Sequence, residues 1–212
     1  MKAIIFDLDG TLLDVREGFY WQFQELTRHF DGAPIAKGMI DASAHGTTEQ
    51  IVRSLVRNNQ VPFDTILAKH QAIRLEAYDR YLRLYDGVNE LLPILRRMGI
   101  RVAALTSGNH LTVACLDRTG IREHFECIVT ADHVANPKPH PEGLDMIIKE
   151  LNVDPEDVIV VGDTVVDILV GKNAGVGKTI GVSHGFGSVD SLNAAGADHI
   201  VHDIPSILDV IE

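Results

Sequence analysis

The chain has 212 residues, 30 Asp and Glu against 19 Lys and Arg, and a formal net charge of −11 at pH 7. With 45% hydrophobic and 23% charged residues, it suits one large globular domain, or one with a sizeable insert, rather than a disordered or fibrous protein. The excess of acidic residues argues against nucleic acid as a partner, and no apolar run approaches the ~20 residues that span a bilayer. Two cysteines are too few for a disulfide scaffold. We therefore expect a cytoplasmic protein without nucleic-acid or membrane partners.

The first predicted element is a strand. Residues 3–6 form a continuous apolar run that stops at Asp7, which is typical of a fully buried parallel strand. The stretch 15–85 that follows contains no convincing strand, carries apolar residues at helical spacing, and holds the only Trp and all four Tyr. These features predict an all-helical domain at 15–85, inserted into a domain made of 1–14 and 86–212.

Strands and helices alternate in the rest of the chain. Apolar runs predict five further strands at 102–105, 127–129, 158–161, 179–182 and 199–201. Helical patterns lie at 88–98, 111–118, 141–151, 165–174, 191–195 and 204–211. Alternation of this kind predicts an α/β fold whose parallel sheet is covered by helices.

Acidic residues follow two of these strands, at the sheet edge where ligands bind in open α/β folds. Asp7 and Asp9 lie two apart in an extended segment and so point the same way. Asp163 and Asp167 share a helical face if a helix begins right after Gly162; the alternative for this pair is an N-cap and a solvated face. Four gathered carboxylates need a cation, and hard oxygen ligands suit Mg²⁺.

Groups that could bind an anion occur at the same predicted edge. Lys138 stands between two prolines, which would hold it in one place, although a surface Lys in a stiff loop is the alternative. Thr106 offers a hydroxyl, and we expect the amides of Ser107 and Gly108 to lie at a helix N-terminus that can cradle an anion.

Together these residues resemble the four ordered motifs of the haloacid dehalogenase (HAD) superfamily: Asp7-Leu8-Asp9-Gly10-Thr11-Leu12, Thr106, Lys138-Pro139-x-Pro141 and Gly162-Asp163-x-x-x-Asp167. The helical insert is similar to the cap of the phosphoglycolate phosphatase and β-phosphoglucomutase branch. This resemblance implies a Rossmann-like core, a cap domain, dependence on Mg²⁺ and hydrolysis of phosphoric monoesters. An acid at Asp9 favours phosphate esters over haloacids as substrates.

The resemblance also implies residue roles. Asp7 would attack phosphorus and form an aspartyl-phosphate, and Asp9 would be the general acid and then the base. Asp7, the Asp9 carbonyl and Asp163 would bind Mg²⁺, and Asp167 would support the metal shell or pair with Lys138. Thr106 and Lys138 would hold the phosphoryl oxygens.

The substrate is expected to be a small phosphorylated metabolite: phosphoglycolate-like, a sugar phosphate, pyrophosphate or a nucleotide monophosphate. His45 and Thr47 are candidate specificity contacts by analogy with the cap loop, and an ordinary connection between helices is the alternative. A phosphomutase of the β-phosphoglucomutase type and a non-catalytic metal- or phosphate-binding protein also stay open. The sequence does not indicate the oligomeric state.

Overall fold

The computed structural model describes residues 1–43 and 47–211. They form two compact units: unit 1 comprises Met1–Leu13 and Leu84–Glu212, and unit 2 comprises Asp14–Arg83. In chain order the elements are β1 Ala3–Phe6, β2 Leu13–Asp14, α1 Arg16–Asp31, α2 Lys37–Ser43, α3 Thr48–Leu55, α4 Phe63–Tyr81, β3 Arg83–Leu84, α5 Val88–Arg97, β4 Arg101–Leu105, α6 His110–Thr119, β5 Cys127–Val129, α7 Glu142–Leu151, β6 Val158–Gly162, α8 Val165–Ala174, β7 Lys178–Val182, α9 Val189–Ala194 and β8 His199–Val201.

Unit 1 is built on a six-stranded parallel sheet in the order β5-β4-β1-β6-β7-β8. This confirms the predicted α/β class with a Rossmann-like core. β1 is central: Phe6 pairs with Ala104 of β4 on one side and with Val161 of β6 on the other. The chain leaving β1 at Asp7 is therefore flanked by the ends of β4 and β6, whose following residues carry the other candidate groups.

The apolar strands are buried because helices cover the sheet. On one face, side chains of β1, β4 and β6 pack against the apolar stripe of α7, which consists of Leu144, Ile147, Ile148 and Leu151. Each of these side chains contributes roughly 1.5–3 kcal/mol by its removal from water. A strand covered on both faces reads as an unbroken apolar run, which explains why the strands were recognisable from sequence.

Two local predictions are wrong. The helix predicted at 204–211 is a 3₁₀ turn at Pro205–Ile207 followed by further turns, held by i to i+3 bonds such as Leu208 N to Pro205 O at 3.1 Å. Backbone bonds that span three residues rather than four are those of a 3₁₀ turn and not of an α-helix. The stretch 15–85 does contain strand residues, because β3 pairs with β2, and two residues are too few to show a periodicity.

The described residues of unit 2 form four helices around an apolar core. Phe23 and Leu26 of α1 pack with Ile40 of α2, Ile51 of α3 and Ile66 of α4. Phe19 and Phe30 of α1 are partly buried and pack against this core. Across the described residues, no helix combines the length and the apolar character that crossing a membrane requires.

His70 of α4 lies inside unit 2. Its ring stacks on Phe23 with centroids 5.1 Å apart, and within the described part of the chain neither ring nitrogen has a hydrogen-bond partner. Burial, assisted by the Arg74 cation, lowers the pKa of His70 from 6.5 to about 3. The folded protein therefore keeps His70 neutral at pH values where the unfolded chain protonates it.

We expect this difference to make the protein less stable as pH falls from about 6.5 towards 3, by about 2 kcal/mol at pH 5. The variant His70→Leu should lose this component of the pH dependence, whereas His29→Leu, which alters an exposed histidine of α1, should keep it. Trp21 is the only Trp, so denaturant unfolding followed by its fluorescence reports on unit 2. Parallel pH profiles for the wild type and His70→Leu would contradict the prediction.

Candidate active site

Lys138 connects the ends of β1 and β4 to α8 by three hydrogen bonds. Its Nζ donates to Asp7 Oδ1 at 2.7 Å, to Asp167 Oδ1 at 2.6 Å and to the Leu105 carbonyl at 3.1 Å. These acceptors match the three N–H donors of an ammonium group, and the Lys138 side chain is only 4% exposed. Burial alone would lower the pKa of Lys138, but the carboxylates of Asp167 and Asp7 outweigh it and raise that pKa. Lys138 is thus a fixed cation rather than a surface residue.

Asp163 is fully buried and held from both sides of its carboxylate. Thr11 Oγ1 donates to Asp163 Oδ1 at 2.9 Å, and the Phe186 amide donates to Oδ2 at 2.7 Å. The premise that a helix begins right after Gly162 is wrong, since Asp163 precedes the helix and Thr164 is the extended N-cap residue of α8. Asp163 and Asp167 therefore converge through the turn between β6 and α8, not through a shared helical face.

Asp167 uses one carboxylate oxygen to accept hydrogen bonds at the N-terminus of α8 and the other to accept a hydrogen bond from Lys138. Its Oδ2 accepts hydrogen bonds from the Thr164 amide at 3.0 Å and from the Thr164 hydroxyl at 2.6 Å. A carboxylate at this helical position stabilises the otherwise unsatisfied amides of a helix N-terminus. Asp167 thus has a structural task, and the bond from Lys138 joins it to Asp7.

Asp7, Asp163 and Asp167 form a buried carboxylate cluster, with one oxygen of each lying within 4.8 Å of the others. Burial raises the pKa of Asp7 well above its usual range, with Lys138 opposing and the other two acids adding to the rise. Burial, together with the Asp167 charge, raises the pKa of Asp163 to about 7. Three carboxyl groups lie beside one ammonium, so their ionisation gives an excess of negative charge that a divalent cation would neutralise, and this oxygen donor set fits Mg²⁺.

The space around Asp163 depends on two glycines. A Cβ atom at Gly10 would lie 2.5 Å from Asp163 Oδ2, and one at Gly185 would lie 2.2 Å from the same atom. Gly10 also has a φ of 97°, which other residues rarely adopt. Any side chain at either position would displace the carboxylate that fits the metal.

The loop after β4 is partly as expected and partly different. Thr106 is buried, and its Oγ1 accepts a hydrogen bond from the Gly108 amide at 2.9 Å, so that amide is already used. α6 begins only at His110, after the N-cap residue Asn109, which corrects the predicted helix N-terminus at Ser107 and Gly108. Within the described part of the chain, no acceptor is bonded to the Ser107 amide.

Three further candidate residues from the sequence are Asp9, Thr47 and His45. The side chain of Asp9 is half-buried next to the turn after β1 and is not one of the three clustered acids. Thr47 caps α3 in unit 2, where it exchanges hydrogen bonds with Gln50. His45 lies outside the described residues.

Two contacts that hold Asp163 were not identified from the sequence. They are the hydrogen bond from the Thr11 hydroxyl, a residue quoted in the first motif without a role, and the hydrogen bond from the Phe186 amide. The glycines on both sides of Phe186 were the only local signal for a close backbone approach. A backbone donor leaves no side-chain signature, so it could not have been found by residue type.

Comparisons with known proteins agree with this architecture. A family model described as haloacid dehalogenase-like hydrolase matches residues 4–182. Pyrophosphatase PpaX of Bacillus velezensis is 30% identical over 215 residues, which cover 99% of this chain and 96% of that protein. The N-acetylmuramic acid 6-phosphate phosphatase of Pseudomonas aeruginosa is 29% identical over 222 residues, covering 100% and 95% of the two chains.

A solved structure shares the fold. The crystal structure of a predicted phosphoglycolate phosphatase from Haemophilus somnus 129pt aligns with a TM-score of 0.92 at 20% identity, covering 100% of this chain and 98% of that one. At this level of identity the likeness concerns the fold alone.

Proposed function

Because the chain belongs to the haloacid dehalogenase-like hydrolases and its curated relatives are phosphatases, we propose that it is a Mg²⁺-dependent phosphatase of small phosphorylated metabolites that acts through an aspartyl-phosphate. One observation supports this most strongly: Asp7 lies at the end of the central strand, within the carboxylate cluster and 2.7 Å from the Lys138 ammonium. A nucleophilic carboxylate must be kept anionic in a buried place, and a fixed cation beside it serves that need.

In the proposed mechanism, Asp7 attacks phosphorus while the bond to the leaving oxygen breaks. Asp9 gives its proton to that oxygen, and the product leaves a phosphoryl group on Asp7. Asp9 then takes a proton from water, which attacks phosphorus, releases inorganic phosphate and restores the Asp7 carboxylate.

The remaining site residues would hold the metal ion and the phosphoryl group in position and neutralise their charge. Asp7, the Asp9 carbonyl and Asp163 would hold Mg²⁺, which when bound supplies the positive charge that neutralises the carboxylates and the phosphoryl oxygens. Thr106 and the Ser107 amide would donate to the phosphoryl oxygens. Lys138 would hold these oxygens through its positive charge, and Asp167 keeps Lys138 in position.

For the substrate, the relatives suggest a class rather than one compound. Their names specify pyrophosphate and a sugar phosphate as the compounds on which those proteins act. We propose a small phosphorylated metabolite, phosphoglycolate-like or a sugar phosphate, with pyrophosphate as a further candidate. From the family resemblance, we also propose that unit 2 is a cap domain and that His45 and Thr47 contribute to substrate recognition.

The test is phosphate release from p-nitrophenyl phosphate and from a panel of phosphorylated metabolites, with Mg²⁺ and with a chelator. We expect inorganic phosphate to appear only with Mg²⁺. An isomeric phosphate in place of inorganic phosphate would identify a phosphomutase. Binding of Mg²⁺ and phosphate without turnover of any compound would favour a non-catalytic protein.

We expect Mg²⁺ binding to weaken as pH falls below about 7. Asp163 has its pKa raised to about 7, so below that pH the ion must displace a proton. At pH 5.5 the apparent affinity should be about 30-fold lower than at pH 8 from this group alone. Calorimetric Mg²⁺ titrations at the two pH values measure the difference, and Asp163→Asn should bind the ion poorly at both. Equal affinities at the two pH values would argue against Asp163 as a ligand.

A further inference from the structure

His184 lies in the loop between β7 and α9, and its ring reaches back to the turn that follows β1. Its Nε2 is 3.0 Å from the carbonyl oxygen of Thr11. A carbonyl oxygen only accepts hydrogen bonds, so Nε2 carries the proton and donates. This bond joins two segments that are 173 residues apart in the chain.

Thr11 is held by two hydrogen bonds, one to its backbone carbonyl and one from its side-chain hydroxyl. Its carbonyl accepts from His184, while its hydroxyl donates to Asp163 Oδ1 at 2.9 Å. Thr11 is completely buried, in the same tight turn as Asp7 and Asp9. A shift of this turn would move Asp7, Asp9 and the Thr11 hydroxyl relative to Asp163.

The loop that carries His184 also binds Asp163 directly. The Phe186 amide donates to Asp163 Oδ2 at 2.7 Å, and the Gly187 amide donates to the Asp163 carbonyl at 3.1 Å. The His184 side chain and the backbone beyond it thus hold two different partners, the turn after β1 and the residue after β6. Their relative position determines the geometry of the proposed metal site.

Tyr85 fixes the orientation of the His184 ring. The two ring centroids are 4.0 Å apart at an interplanar angle of 46°, and Tyr85 Oη donates to the His184 carbonyl at 3.3 Å. The Tyr85 amide in turn donates to the carbonyl of Leu12, the residue after Thr11, at 3.1 Å. Tyr85 and His184 together clamp consecutive carbonyls of the same turn.

We propose that His184, oriented by Tyr85, is a positioning residue that sets the separation of Asp7 and Asp163 and thereby the affinity for Mg²⁺ and the rate of phosphoryl transfer. This inference rests on the proposed function. Groups that orient metal ligands from outside typically account for roughly 10- to 100-fold in metal affinity or activity. A merely structural side chain would affect the fraction of folded protein but not the metal affinity of the folded molecules.

Two substitutions at His184 distinguish the effect of its hydrogen bond to Thr11 from the effect of its ring packing against Tyr85. His184→Phe keeps a ring against Tyr85 but removes the donor, whereas His184→Gln provides an amide N–H that can reach the Thr11 carbonyl. The matched control is His202→Phe, the same substitution at an exposed histidine whose ring bonds to the Ser183 hydroxyl at 2.7 Å. All measurements are made on the full chain, well below each variant's thermal midpoint.

Mg²⁺ affinity is measured first, by calorimetric titration without substrate, and kcat and KM follow with the best substrate of the panel. For His184→Phe we expect the Mg²⁺ dissociation constant to rise and kcat to fall, each by roughly 10- to 100-fold, with KM nearly unchanged. His184→Gln should recover most of both losses, and His202→Phe should match the wild type.

The outcomes distinguish the inference from the proposed function. Wild-type protein that neither binds Mg²⁺ nor releases phosphate would overturn the proposed function. Wild-type protein that does both, with His184→Phe equal to it in Mg²⁺ affinity and kcat, would overturn the role of His184 alone. Lower stability of His184→Phe with unchanged metal affinity, or no recovery in His184→Gln, would likewise reduce His184 to a structural residue.

Discussion

Asp7→Asn is expected to abolish turnover, with kcat falling on the order of 10⁴-fold or more. An amide cannot displace the leaving oxygen and carry the phosphoryl group, so no other interaction in the site compensates for its loss. Steady-state phosphate release measures the effect. Rapid-quench experiments with labelled substrate should show acid-precipitable phosphoryl-protein for the wild type and none for the variant.

The same substitution should leave the metal-free protein folded and make it somewhat more stable near pH 8. Burial raises the pKa of Asp7, which means that the ionised carboxylate is unfavourable in the folded state, and asparagine removes that charge. The control is Asp154→Asn, an exposed acid with 83% of its side chain accessible, which should retain full activity. Substantial phosphate release by Asp7→Asn would require another nucleophile.

Lys138→Met is expected to destabilise the metal-free protein by about 3–5 kcal/mol at pH 8 and to abolish activity. The substitution removes the ammonium that donates to Asp7 and Asp167 and leaves buried carboxylates with no cation beside them. Urea unfolding with and without Mg²⁺ measures the loss, and added Mg²⁺ should restore part of it. Lys138→Arg should not restore activity, because the larger guanidinium does not fit three acceptors arranged around one ammonium.

The stability deficit of Lys138→Met should shrink as pH falls from 8 towards 5. The folded-state pKa values of Asp7 and Asp163 are raised, so the folded protein takes up protons before the unfolded chain does, and protonation relieves the repulsion. Lys172→Met is the matched control: its ion pair with Asp198 is 39% exposed on each side, and such pairs contribute about 0–1 kcal/mol. Equal deficits for the two variants would mean that Lys138 is not a buried cation.

The amino-acid sequence alone determined the fold class and most of the reactive side chains. β1 and β6 are buried throughout and read as apolar runs, as expected of parallel strands covered on both faces, and Asp7 and Asp163 directly follow them. Asp7, Lys138, Asp163 and Asp167 were all named as site residues from these positions and from the family resemblance. Strand periodicity is a local property, so it survives in the linear pattern.

Only the tertiary structure decided how these groups meet. Lys138 and Asp7 are 131 residues apart, and their contact depends on the register of parallel strands, which no local pattern encodes. The Phe186 amide, the occupied Gly108 amide and the His184 bond to the Thr11 carbonyl depend on backbone direction in loops. Every residue except proline has the same backbone N–H group. Which acceptor this group bonds to depends on the backbone direction in the folded chain, and the identity of the side chain says almost nothing about that direction.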